Sequence, residues 1–472
     1  MRRGEQELNG LELFSRPFLG WERGFIRPGR RGWVVGTEED MVAVLGVPRV
    51  GKTGGLLVPQ ALLWRGPAVI ASSKWDLLRA TGDRRAAIAA RSGGGVSLYA
   101  PVLGRELHFG LRSMAYSLVD ASRTPKGAKA IASAMIRAGE SGKGITDASY
   151  WSGGGIRILQ CLLHAAAVAG TDIRQVQRWI GRGTLDEPAK LLEDSSSPAA
   201  EQWSADLRDQ NSLNERERAS FFGQARAALA ALDLPEVVAN SCHSDLTADD
   251  FLLSGSTLYI VNSGAEQQEV APLIAGFVEA LVARAYELWN LGRLPERLLL
   301  LLDEVANIVP LPMLARHMSE GAGQGVLIYF ALQDWSQLRH KYGDQVADAI
   351  FSLARAKILF GGSDNERELS RIERLLGTHH VERPTSETRQ QDGGRSHSRS
   401  WEREARISTA ELRAIPPGRA LLVYHTYAPE LVEAKIAART KPFHRHVGWL
   451  GVRPEEAWPV GLEYRQHSGV GA

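Results

Sequence analysis

Short apolar runs alternate along the chain with longer stretches in which apolar residues recur at helical spacing. Buried strands separated by helical patterns are typical of a mainly parallel α/β sheet. Eight segments have the composition of such strands: Met41–Leu45, Ala68–Ala71, Val96–Tyr99, Thr257–Val261, Leu298–Leu302, Val326–Leu332, Lys357–Phe360 and Ala420–Tyr424. The pattern therefore predicts an α/β fold.

A long gap without strand signals separates the third of these segments from the fourth. Residues from Ser113 to Asp245 are rich in Ala, Leu, Gln and Arg, and their apolar positions have the helical period. We therefore predict four regions: a nucleotide-binding domain begun by residues 1–112, an inserted all-helical domain at 113–245, the second part of the first domain at 246–440, and a tail at 441–472. Within the third region, residues 382–406 are polar and contain Gly393-Gly394, which predicts a flexible loop.

Charge and composition limit the possible locations of the chain. The 472 residues carry a formal charge of +2 and two cysteines, Cys161 and Cys242, too few for a disulfide framework. Neither an apolar leader nor a run of about 20 apolar residues is visible. We expect a cytoplasmic protein, whose contact with the inner face of the cell membrane would come through a partner.

The predicted helical insertion has an uneven charge. Residues 121–182 contain nine Lys/Arg and three Asp/Glu, whereas residues 183–240 contain five and eleven. A basic surface can bind a phosphate backbone without base contacts. Lys126 and Lys129 would share one face of a helix. The alternative is that the two stretches are solvated faces, or pair with each other inside the domain.

The segment after the first strand has a phosphate-binding pattern. Gly46, Val47, Pro48, Arg49, Val50, Gly51, Lys52 and Thr53 fit G-x-x-x-x-G-K-[ST] at every position, and Gly54 follows at the start of a predicted helix. In such a loop the backbone N–H groups surround the phosphates of ATP. Lys52 would reach the β- and γ-phosphates, and the Thr53 hydroxyl would bind Mg²⁺.

Two further strands end in polar residues suited to hydrolysis. Asp303 and Glu304 follow five leucines, and carboxyl ends of parallel strands meet at the edge where phosphates bind. Asp303 would hold the Mg²⁺ hydration shell, and Glu304 would polarise the attacking water. Gln333 follows Val326–Leu332, a strand expected between those of the two motifs, and would sense the γ-phosphate. A structural role at a helix start remains the alternative for Gln333.

Five stretches resemble the type IV coupling proteins of the TraG/TraD type. The matching stretches are Ser73–Leu77, Phe251–Asn262 with Ala271-Pro272-Leu273, Ser319-Glu320-Gly321 through Gln337-Leu338, Leu359–Asp364, and Glu404–Leu422 with its Ile415-Pro416-Pro417-Gly418-Arg419 run. The resemblance extends from about Gly32 to Val432. It implies a RecA-like P-loop NTPase with an inserted all-α domain, in agreement with the pattern above.

The resemblance also implies partners. Such proteins act as homo-hexamers with ATP at subunit interfaces, and deliver DNA carried by a relaxase to a conjugative secretion channel. This sequence departs from the family in two ways. The usual N-terminal membrane helices are absent, so the membrane anchor would be a separate protein, or the chain would act in solution. We expect a monomer in isolation. Ala322 stands where many members have an arginine, which leaves Arg355 and Arg367 as candidates for the arginine acting across the interface.

Three functions remain open at this stage. The first is an ATP-hydrolysing DNA motor, and the second is a protein-secretion or assembly ATPase of the same fold that acts on a polypeptide. The third is an adaptor in which nucleotide only stabilises the fold, against which the intact Lys52, Asp303 and Glu304 argue. DNA stimulation of ATP hydrolysis separates the first two.

Overall fold

The computed structural model of the chain describes residues 6–8, 11–22, 32–139, 145–262, 267–389 and 395–448. Its strands are β1 Gln6–Leu8, β2 Leu11–Leu13, β3 Phe18–Glu22, β4 Trp33–Val35, β5 Val42–Leu45, β6 Ala68–Ser72, β7 Val96–Tyr99, β8 Leu107–His108, β9 Leu111–Arg112, β10 Thr257–Val261, β11 Leu298–Asp303, β12 Val326–Leu332, β13 Ala356–Phe360, β14 Thr378–Arg389, β15 Arg395–Ala405, β16 Arg419–Tyr424 and β17 Glu430–Glu433. All eight strands expected from the sequence are present.

The helices are α1 Val58–Leu63, α2 Asp76–Ala90, α3 Pro125–Gly139, α4 Ile145–Val168, α5 Ile173–Arg182, α6 Asp186–Glu193, α7 Ala200–Asp209, α8 Glu215–Ala228, α9 Pro235–Ala239, α10 Ala248–Leu253, α11 Gln267–Asn290, α12 Val305–Ile308, α13 Leu314–Glu320, α14 Ser336–Tyr342, α15 Asp344–Leu353, α16 Glu366–Leu376 and α17 Thr409–Arg413. Between β9 and β10, the regular elements in the described part of the chain are helical. Its division from the rest as a separate domain, at residues 113–245, stays a prediction.

Eleven of the described strands form one sheet, in the order β4-β3-β17-β16-β13-β5-β12-β11-β6-β10-β7. The seven strands from β13 to β7 are parallel, so their carboxyl ends share one edge. β12 lies between β5 and β11, as the sequence predicted. The fold is thus α/β with a mainly parallel sheet, as expected.

The central strands are buried on both faces. Along β12, Ile328 and Phe330 pack into one apolar core, while Leu327 and Tyr329 pack into the other. Side chains of successive strand residues point to opposite faces, so a strand covered by helices on both sides reads as a continuous apolar run. For this reason the central strands could be recognised in the sequence as continuous apolar runs.

Three strands at the other side of the sheet were missed. β3, β4 and β17 extend it in antiparallel fashion beyond β16. The β3 rings of Phe18 and Trp21 lie edge to face at 4.8 Å, and Trp33 of β4 lies 5.4 Å from Phe443. These short strands are fixed by aromatic packing from distant parts of the chain, which a local pattern does not show.

The prediction of a flexible loop at 382–406 was wrong for the described residues of that segment. β14 and β15 form a long antiparallel hairpin there, with a register shift between Pro384 and Ser386. Its sequence is polar on both faces, so it lacks the alternation by which a half-buried strand is recognised. Backbone pairing defines this hairpin. Gly393-Gly394 lie outside the described residues.

Within the ranges that the structure describes, no helix combines the length and the apolar character needed to cross a bilayer.

Candidate nucleotide site

The loop after β5 has a backbone that restricts which residues it accepts. Gly51 has φ 106°, and Arg49 has φ 67°, in the left-handed region that non-glycine residues rarely adopt. A Cβ on Gly46 would lie 2.7 Å from the Cβ of Phe360. The Gly46 N–H donates to the carbonyl of Leu332 at 3.2 Å, which ties the loop to the end of β12. The glycines of the motif therefore serve both conformation and close approach.

Lys52 lies inside this loop. Its Nζ donates to the carbonyl oxygen of Gly46 and, at 3.1 Å, to that of Val47. Burial lowers the pKa of Lys52, and the nearby charges of Asp303 and Glu304 oppose that shift. The next five residues, Thr53–Leu57, form a π-helical turn that continues into α1, so the helical start expected at Gly54 is present. Lys52 thus directly precedes the first turn of a helix.

The two acidic residues lie beside the loop. Asp303 ends β11, and the Thr53 hydroxyl donates to its Oδ2 at 3.3 Å. Burial, reinforced by the charge of Glu304, raises the pKa of Asp303 to about 6. A hydroxyl and a carboxylate this close together supply the hard oxygen ligands that Mg²⁺ prefers. The pair Thr53 and Asp303 therefore fits a magnesium site.

Glu304 and Gln333 contact each other. The Gln333 Nε2 donates to Glu304 Oε1 at 2.5 Å, and the Glu304 N–H donates to the carbonyl of Ala331 at 3.1 Å. Glu304 also has a left-handed backbone, with φ 58°. The structure thus brings together five residues from three neighbouring strand ends: Lys52, Thr53, Asp303, Glu304 and Gln333.

The two candidate arginines lie in different places. Arg355 precedes β13 at the amino edge of the sheet, opposite the phosphate loop, where it pairs with Asp40 at 3.7 Å and Glu39 at 3.9 Å. Arg367 is exposed in the first turn of α16 and lies 3.8 Å from Asp344. Arg355 is thus distant from the site of its own chain, and a role for either across a subunit interface stays a prediction.

Sequence reasoning gave no role to several side chains around the site. Lys74 follows β6, which pairs with β11, and its charge acts on Asp303. Asn365 and Glu368 hold the turn after Gln333 from the side of α16. The Asn-x-x-Glu spacing at the start of α16 is a helix-capping signal that points to these two residues as ordered positions.

The basic stretch of the helical segment is partly paired. Lys126 and Lys129 are both exposed on α3, and Lys126 lies 3.1 Å from Glu287 of α11. Among the described residues, Arg157–Asp206 at 3.4 Å is the ion pair that joins the basic stretch 121–182 to the acidic stretch 183–240. The two stretches therefore do not cancel each other by extensive pairing within the described chain.

The sheet order and the phosphate loop define a P-loop NTPase of RecA-like fold. Solved structures of the bacterial conjugative coupling protein TrwB share this fold. An unbound form has a TM-score of 0.63 at 22 % identity, covering 84 % of each chain. A TrwB complex with ADP and Mg²⁺ has a TM-score of 0.62 at 23 % identity, covering 84 % of this chain and 85 % of that one.

Sequence comparison is more specific. Residues 297–417 match the family model described as the TraM recognition site of TraD and TraG. The conjugal transfer protein TraG of Escherichia coli is 25 % identical over 333 residues, which is 62 % of this chain and 48 % of that protein. The match thus spans about half of that relative. The chain is thus similar to type IV coupling proteins of the TraG/TraD type in sequence, and to TrwB in fold.

Proposed function

We propose that the chain is an ATP-hydrolysing motor that moves DNA towards a conjugative type IV secretion channel. The observation that carries the proposal is the convergence of Lys52, Thr53, Asp303, Glu304 and Gln333 on one edge of the sheet. The similarity to these proteins suggests the substrate, since the relatives named above are proteins of conjugal transfer.

Each residue has a proposed part in hydrolysis. Backbone N–H groups of residues 46–54 bind the phosphates of ATP, and Lys52 leaves its loop carbonyls to neutralise charge on the γ-phosphate. Thr53 and Asp303 hold Mg²⁺, which when bound neutralises phosphate charge. Glu304 accepts a proton from the attacking water. Gln333, bonded to Glu304, keeps that carboxylate oriented and reports whether a γ-phosphate is present.

The assembly is part of the same proposal. We infer a homo-hexamer with nucleotide between subunits, in which Arg367 or Arg355 completes the site of a neighbour. The helical segment at 113–245 forms a separate domain, and its basic stretch faces DNA or a DNA-bearing partner. Cargo arrives as a relaxase–DNA complex, and a secretion-channel or membrane-anchor protein recruits the chain to the cell membrane. The matched region at 297–417 docks an accessory protein of the TraM kind.

The nucleotide site is tested by Lys52→Ala. This change removes the positive charge that would stabilise the γ-phosphate. Because phosphoryl transfer depends mainly on such electrostatic stabilisation, Mg-ATP turnover should fall by about 10²-fold or more. The measurement is phosphate release by the purified chain. Lys190→Ala, an exposed lysine of α6, is the matched control and should hydrolyse ATP at the parental rate. Near-normal turnover in Lys52→Ala would refute the assignment of the site.

A further inference from the structure

The turn that follows Gln333 is fastened to the start of α16 by side chains. Asn365 Nδ2 donates to both carboxylate oxygens of Asp334, at 3.2 and 3.0 Å. Glu368 Oε1 accepts the backbone N–H of Trp335. Two successive residues after the sensor glutamine are therefore held by two residues of one helix.

This connection lies in the interior. Glu368 is 7 % exposed, and Trp335 is 1 % exposed and packs edge to face on Phe351 at 4.9 Å. Burial and the charge of Asp334 raise the pKa of Glu368 to about 7. Burying a carboxyl group is unfavourable unless it is hydrogen-bonded, and here its bond goes to the backbone next to the sensor strand.

The turn also has direct links to the site. Gln333 Nε2 is bonded to Glu304, while its own N–H donates to Gln337 Oε1 at 3.2 Å. Gln333, Gly46 and Glu368 line a common small cavity. A shift of the turn by a fraction of an ångström would move the Gln333 amide away from Glu304, because the side chain and the turn share one short segment.

We propose that Asn365 and Glu368 are positioning residues for ATP hydrolysis. They hold the 333–335 turn in place, so that the Gln333 amide stays hydrogen-bonded to Glu304. This role rests on the proposed hydrolysis.

A purely structural role for Asn365 is the competing explanation. Its Oδ1 accepts the N–H of Glu368 at 3.3 Å and so caps α16. Aspartate caps helices as well as asparagine does, so Asn365→Asp keeps the cap. It removes the N–H donor to Asp334 and places two carboxylates together. The exchange Asp334→Asn with Asn365→Asp restores the bond with donor and acceptor reversed.

The experiment compares these variants in steady-state ATP hydrolysis. For Asn365→Asp we expect kcat about tenfold lower with KM for ATP within about twofold of the parent, the size of effect that residues supporting a site usually have. The exchange variant should recover kcat to within about threefold of the parent. Glu366→Gln, an exposed acid of the same helix turn, is the control and should not change kcat.

The Glu368 variants provide a second comparison. Glu368→Gln keeps an oxygen that accepts the Trp335 N–H and should retain activity, whereas Glu368→Ala should lose it to a similar extent as Asn365→Asp. Equal kcat for the parent and Asn365→Asp, or an exchange variant no better than Asn365→Asp, would overturn the positioning role. Absence of hydrolysis by the parent itself would instead refute the proposed function, so the two failures are distinguishable.

Discussion

Glu304 combines a strained backbone with a short side-chain contact. Its φ of 58° lies in the left-handed region, and such conformations persist where surrounding structure fixes them, often at functional sites. Here β11 ends and α12 begins at this residue, and Gln333 holds the carboxylate. The carboxylate of Glu304 is thus bonded to Gln333, whereas that of Asp303 accepts the hydroxyl of Thr53.

Glu304→Gln should therefore separate binding from hydrolysis. The amide oxygen can still accept from Gln333, and Lys52, Thr53 and Asp303 are untouched, so nucleotide affinity should stay within about threefold of the parent. Loss of the general base should lower kcat by about 10²-fold or more. Equilibrium binding of a fluorescent ATP analogue and phosphate release measure the two quantities on one preparation.

An exposed acid provides the comparison for that change. Glu201→Gln on α7 makes the same chemical substitution on the surface and should leave both quantities unchanged. If Glu304→Gln hydrolyses ATP as fast as the parent, Glu304 is not the general base and has only a structural role at the end of β11.

The residues of the site differ in how far the sequence reveals them. Lys52 and Thr53 belong to a contiguous motif, and Asp303 and Glu304 directly follow an apolar strand, so local patterns locate all four. The contacts of Asn365 and Glu368 join segments about thirty residues apart. Local patterns show a helix cap at Asn365, but the partner of that cap depends on tertiary structure.

The phosphate loop packs against the segment that follows β17. A Cβ on Gly55 would lie 2.6 Å from the carbonyl oxygen of Ala434 and 2.8 Å from its carbonyl carbon. The obstacle is backbone, which cannot rotate away as a side chain does. The C-terminal strands thus help to fix the start of α1, although they are far from the loop in sequence.

Gly55→Ala is predicted to disturb this contact. Overpacking usually costs about 1–3 kcal/mol, and the strain here falls on the phosphate loop, so both unfolding stability and ATP binding should decrease. Chemical denaturation and nucleotide titration measure these effects.

Gly181→Ala is the matched glycine, because a Cβ at that position in α5 meets nothing within 4 Å. It should be neutral or raise stability by up to about 1 kcal/mol, since alanine favours helices. An unchanged denaturation midpoint in Gly55→Ala would show that the Ala434 segment moves aside easily.

The elements that could be predicted are those whose burial requires a recognisable pattern of apolar residues. The seven parallel strands are apolar runs because helices cover both faces. β3 and β17 lie on the antiparallel side, and β17 has glutamate at both ends, so their assignment depends on pairing partners. The β14–β15 hairpin has no apolar face, which is why its composition resembled a loop.

At the scale of the whole molecule, assembly should depend on ligands. We expect a monomer in dilute solution and a hexamer on DNA with a non-hydrolysable ATP analogue, because a polyanion that contacts several subunits raises their effective concentration. Light scattering with and without DNA measures the mass. A stable hexamer without nucleotide or DNA would contradict this expectation.

The proposed contact with DNA is assigned to the basic stretch of the helical segment and not to its acidic stretch. Lys126 and Lys129 are exposed on α3, and Lys126 has Glu287 beside it, so its charge is only partly available. Each neutralised phosphate contributes about 0.9 to the slope of log affinity against log salt, and a ring needs few contacts from each subunit.

The most direct test of a DNA motor is the stimulation of ATP hydrolysis by DNA, measured across a series of salt concentrations. We expect strong stimulation that decreases steeply with salt in the parent. Lys126→Gln with Lys129→Gln should flatten the salt slope by about one to two units while basal hydrolysis stays intact. Lys190→Gln, in the acidic stretch, should behave as the parent. Hydrolysis that DNA does not stimulate at any salt concentration would contradict the proposal that the chain is a DNA motor.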